Sequence, residues 1–113
     1  MMMRSWMQRR TGITPVRPAD WPWGDRVWTA AADWALAIQG VGQLDDLGVT
    51  TGRQRTMAEL RLGACGDRLD RACRRSGVDP AAPTLQDALT AVVVALAHQT
   101  AAEEEARGAG ESA

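Results

Sequence analysis

The sequence predicts an all-α fold: a three-helix, bundle-like small domain with a flexible N-terminal arm and an acidic C-terminal tail. Three observations carry that expectation. Apolar residues recur at three- and four-residue spacing in three separate stretches. Gly and Pro gather between those stretches, at 48–52 and 77–83, where helices stop and restart. A length of 113 residues suits one domain. We read that domain as residues 19–107, between a basic arm at 1–18 and a disordered tail at 108–113.

The first helix is expected near 20–46. Asp20 is its N-cap candidate, and Pro22 is tolerated in the first turn. Val27, Ala31, Trp34, Ile38 and Val41 follow a 4-3-4-3 spacing that makes one seam. Trp28 and Ala35 widen the seam. Gly40 and Gly42 weaken the helix late, each by about 1 kcal/mol against Ala. Gly48 is its stop signal.

The second helix is expected near 52–76. Thr51-Gly52-Arg53-Gln54 matches a capping box, with Thr51 and Gln54 each satisfying a backbone amide of the other. Its apolar positions are Met57, Leu60, Ala64, Leu69, Ala72 and Cys73, with Gly63 and Gly66 interrupting and Gly77 ending it.

The third helix is expected near 84–106, opening at Thr84 with Asp87 at the third position. No Gly or Pro occurs from there to Arg107. Leu85, Leu89, Val92 and Leu96 form its stripe, Val93 flanks it, and Val94 points nearly opposite. Three consecutive Val also suit a strand, but the uninterrupted length and the flanking Ala favour helix. A helix apolar on more than one side needs more than one neighbour. In so short a chain this points to a second copy, a homodimer through the third helix.

Composition sets the kind of core. Leu, Ile and Val number 19 and Phe is absent, whereas Ala numbers 20. Five Trp all fall within the first 34 residues. The core is therefore expected to be small and Ala-rich. Lys, Asn, Phe and Tyr are all missing, and all four have AT-rich codons. That pattern indicates a GC-biased, bacterial gene, so Arg without Lys is no sign of a chemical demand for guanidinium.

The net charge of -1 conceals an alternation. Residues 1–18 carry +4, residues 19–52 carry -4, residues 53–79 carry +3 and residues 80–113 carry -4. Alternating signs suit helices that attract one another, or ordinary solvated faces. The longest apolar run, Ala91 to Ala97, is far short of the roughly 20 residues a bilayer requires. Arg4, Gln8, Arg9 and Arg10 break the only apolar cluster near the N-terminus, against a secretory signal. Cys65 and Cys73, eight residues apart on one helix, stand about 12 Å apart, too far for a disulfide, which needs about 7 Å. Reduced thiols in a cytoplasm fit best.

Catalytic groups lack partners. His98 is the single histidine, and a general base needs an orienting group and a pocket. Cys65, Cys73 and His98 have the composition of a zinc site without the short-spaced ligand pairs. Asp45-Asp46 and Glu103-Glu104-Glu105 are adjacent residues that diverge around a helix, unlike a calcium loop. Gly40-Val41-Gly42 lacks the third glycine and the strand of a phosphate loop. The expectation is a non-enzyme with no cofactor and no bound metal.

Residues 56–78, TMAELRLGACGDRLDRACRRSGV, resemble a bacterial helix-turn-helix from Gly63 to Gly77. Gly63 stands where that family places its turn glycine, and Leu69 and Ala72 stand where its second helix meets the core. The resemblance implies DNA binding by Arg68, Arg71, Arg74 and Arg75. Against it, the stretch from Met57 to Gly63 is about two residues short for the first helix of the motif, and Asp67 and Asp70 would repel phosphate. The same residues also read as one continuous amphipathic helix with an Arg-rich solvent face.

Trp28 and Trp34 suit the first seam. Trp21 and Trp23 flank Pro22 and either fold onto the core or anchor a partner, since Trp is enriched in binding hot spots. Trp6, with Met3 and Met7 beside Arg4, Arg9 and Arg10, makes a short interfacial anchor or a disordered tail. The leading functional expectation is an accessory or regulatory protein that works by helix-mediated association, with Trp21, Trp23, Val93 and Val94 at the contact. The alternative is a small DNA-binding transcriptional regulator.

Overall fold

A computed structural model describes residues 13–112, with side chains through residue 108. The fold is all-α: α1 (Gly24–Asp46), α2 (Arg53–Arg75) and α3 (Pro83–Ser112), with no strand among the described residues. The opening Arg-rich segment and Trp6 lie outside those residues. Of the expected arm, residues 13–18 are described, and Ile13 is buried within the core cluster.

α1 is the central element. Both other helices pack on it, while no Cα of α2 comes within 8 Å of one in α3 among the described residues. Asp45 and Arg55 are ion-paired across the first turn, and Asp25 and Arg75 line one groove at the opposite end, so α1 and α2 run antiparallel. Gln39 of α1 meets Thr100 of α3, and α3 begins beside the end at which α2 finishes. The chain therefore runs up, down and up, with α3 parallel to α1.

The seam expected on α1 is correct at Val27 and Ala31, which are fully buried together with Ala35. Trp34, Ile38 and Val41 are only partly buried. On α3 the expected stripe of Leu85, Leu89, Val92 and Leu96 is buried throughout. Each such side chain contributes about 1.5–3 kcal/mol of apolar burial. No polar or charged residue is buried among the described residues, so the core is held mainly by shape and area.

Both early helix ends follow one motif. At the end of α1, Gly48 has φ +74, its N–H bonds the Asp45 carbonyl, and Val49 N–H bonds the Leu44 carbonyl at 2.8 Å. At the end of α2, Gly77 has φ +73, and Gly77 and Val78 repeat those bonds to Arg74 and Cys73. Glycine tolerates this left-handed conformation, and the two bonds satisfy carbonyls that the helix leaves open.

The helix starts differ from expectation. α1 begins four residues after Asp20, because residues 18–21 are used in a turn in which Trp21 N–H bonds the Pro18 carbonyl. Trp21 then turns inward, and its Nε1 donates to the Gly24 carbonyl at 3.1 Å. The capping box at Thr51 is not formed. Gly52, at φ +97, occupies the cap position with no side-chain cap bond. Its carbonyl instead accepts from the Thr56 N–H at 3.0 Å and the Thr56 hydroxyl at 3.1 Å. α3 begins at Pro83, where a missing N–H costs nothing. Its helix continues beyond residue 106 to Ser112, and residues 101–108 are exposed on every side.

α2 corrects two further expectations. It is one helix through Gly63 and Gly66, so the turn that the helix-turn-helix resemblance implies at Gly63 is absent. An unbroken helix must keep one phase. The face that buries Cys73 and Leu69 extends back through Cys65, Leu62, Ala58 and Arg55, none of which is exposed. Met57 and Leu60 belong to another phase and are 58% and 64% exposed; Ala64 is exposed with them. Joining both sets into one stripe would require a break at Gly63–Gly66.

A Cβ added at Gly63 meets nothing within 4 Å, so Gly63→Ala should stabilise the protein by about 0.5–1 kcal/mol. Urea unfolding measures this. Destabilisation would instead indicate that the glycine serves a turn.

Candidate functional site

A groove of about 830 Å³ opens between the first half of α1 and the last half of α2. Antiparallel packing creates it. Ala30 and Ala72, with the Cys65 side chain, form a floor of small residues, and long charged side chains rise on both sides. From α2 come Arg68, Arg71 and Arg75, spaced at i, i+3 and i+7 so that they share one face. From α1 come Asp25, Arg26 and Asp33.

The charges are not balanced within the groove. Asp25 is engaged by Arg17. Arg68 makes one contact, Nη2 to the Cys65 sulfur at 3.8 Å. Arg26, Arg71 and Arg75 form no ion pair among the described residues, whose four pairs join Arg17–Asp25, Arg55–Asp45, Arg55–Glu59 and Arg74–Asp70. Arg74 therefore stands apart from the other three arginines named from sequence. Its Nε donates to Asp70 at 2.8 Å, and that bond raises the guanidinium pKa above its ordinary value. Arg26 was missed in the sequence, where a lone Arg in an acidic segment gives no signal. Only the register of α1 on α2 brings it to the groove.

The residues expected to anchor a partner do not form one surface. Trp21 is 7% exposed and packs edge-on against Trp23 and Trp28, with ring centroids at 4.8 and 5.2 Å. It is core, as folding back over the helix start requires. Trp23 and Val93 are partly buried against that core, and Val94 remains 49% exposed.

The groove sets four guanidinium groups against two carboxylates. Cys65 and Cys73 are both buried free thiols. Burial pushes the Cys73 thiol pKa up, and the nearby Asp70 carboxylate adds to the effect, so thiolate is scarce there. His98 is exposed on α3. No group of three His, Cys, Asp or Glu able to hold a metal occurs among the described residues. No helix among them is long and apolar enough to cross a membrane. Comparison with known protein families, curated proteins and solved structures finds no match to this chain.

Proposed function

We propose that this is a non-enzymatic accessory or regulatory protein that acts through helix-mediated association, first with a second copy of itself. The observation that carries this reading is the exposed apolar strip on α2. Met57 and Leu60 stand one turn apart and turn outward, although the same helix has a buried face available. Leu47 at the end of α1 and Val94 on α3 add to the uncovered apolar surface. Covering such side chains is worth about 25 cal/mol per Å², and a partner helix covers them most simply. Two free, buried thiols support a reducing cytoplasm as the setting.

Sedimentation velocity at micromolar concentration tests the reading. The wild-type chain should self-associate, and Met57→Glu with Leu60→Glu should weaken that association at least about tenfold, equivalent to 1.4 kcal/mol. Circular dichroism should be unchanged, because both side chains are exposed. A monomer at every concentration would remove self-association.

One observation favours a second reading, DNA binding: Arg68, Arg71 and Arg75 share a groove, and none of them is ion-paired among the described residues. On a continuous helix these arginines would contact phosphates, which gives affinity without sequence readout. A gel shift with duplex DNA at low salt should then be lost on Arg71→Ala with Arg75→Ala. It should also weaken steeply with salt. No shift at low salt would dismiss DNA as the partner.

A further inference from the structure

We infer that the arginine groove between α1 and α2 receives the acidic end of α3, Glu103–Glu105, from a second copy of this chain. The inference rests on the association reading and names the contact that directs it. Four arginines face the groove, at 26, 68, 71 and 75, and one of its two carboxylates is already taken by Arg17. The groove therefore has positive charge to spare. Its complement lies on the same chain: Glu103, Glu104 and Glu105 are exposed, on a helix extension whose residues 101–108 are all exposed.

Within one copy the two cannot meet. Gln39 holds Thr100 near the far end of α1, whereas the groove spans Asp25 to Asp33. Six to fourteen helical residues, about 9–21 Å, separate those levels. A continuous helix from Pro83 to Ser112 cannot fold back over that distance. The contact has to be made between copies.

Two-fold geometry allows it twice. If α2 of one copy lies antiparallel to α2 of the other, the Met57 end of each sits beside the Arg71–Arg75 end of its partner. α3 of each copy projects from the Met57 end, because it runs parallel to α1 and opposite to α2. The same arrangement covers Met57 and Leu60 and brings each glutamate cluster to the partner's groove. An isologous pair closes, so the assembly stops at two. Arg107, one turn beyond Glu103, would then face the acidic rim at Asp33, the carboxylate that has no ion-pair partner among the described residues.

Charge-swapped full-length chains test this by sedimentation velocity. Wild type should dimerise, and more weakly as salt rises. Arg71→Glu with Arg75→Glu should weaken the dimer at least tenfold, as should Glu103→Arg with Glu104→Arg in a separate chain. Mixing the two variants should restore a heterodimer to within a few-fold of wild type, because each retains the complement of the other. Dimerisation indifferent to all four substitutions, yet abolished by Met57→Glu with Leu60→Glu, would overturn the groove contact and leave the association reading standing. A monomeric wild type would overturn both. Variants that weaken the dimer without complementing each other would overturn the pairing, as would duplex DNA that binds the groove and leaves the dimer intact.

Discussion

The narrow apolar face of α1 is the constraint on which the rest of the molecule depends. Val27, Ala31 and Ala35 are fully buried, and two of those three positions are alanine. Small side chains let neighbouring helices approach toward the near end of the usual 8–10 Å spacing. They also mean that little area is buried per residue, so the larger side chains of the partners must supply it. Leu85, Leu89, Val92 and Leu96 do so from α3, and Leu69 and Cys73 from α2, with Trp21 closing the end.

Because α1 is shared, α2 and α3 have no need of each other, and their backbones stay apart. A closed bundle would bury a stripe on every helix from two sides. Here α2 is supported from one side only, and this explains how Met57 and Leu60 remain exposed while Cys65 and Leu69 do not. It also explains the groove. Two antiparallel helices with small residues at their contact leave a trough beside it, and the long side chains that border this trough are charged. The exposed apolar strip and the charged trough are thus consequences of one packing choice.

Most of the fold was legible in the sequence because its signals are local. The stripe of α3 could be read from four leucine and valine positions, and Gly48 and Gly77 marked helix ends by their conformational freedom. The errors arose where two local patterns competed. On α2, Met57–Leu60–Ala64 and Leu69–Cys73 are each good helical spacings, but only one phase can face α1 when the helix is unbroken. At Thr51 a capping box was available, yet Gly52 at positive φ already turned the chain. At Gly63 a turn glycine was available, yet nothing crowds that position and the helix passes through it. The site was legible only in part. Arg68, Arg71 and Arg75 share a face by spacing alone, whereas Arg26 and Asp33 join them through the register of two helices, which no local pattern encodes. Trp21 shows the reverse case, since a residue whose spacing allows both anchor and core, with core the better reading, is assigned to the core by the turn at 18–21.

Native-state hydrogen exchange followed amide by amide tests the shared-helix architecture most directly. If α1 is the element on which both others depend, amides around Ala31 and Ala35 exchange only through global unfolding and are the slowest in the protein. Those of α2 and α3 open in smaller units, and those beyond Thr100 exchange fastest. Slowest exchange in α2 or α3, with α1 opening before either, would contradict a fold organised around α1.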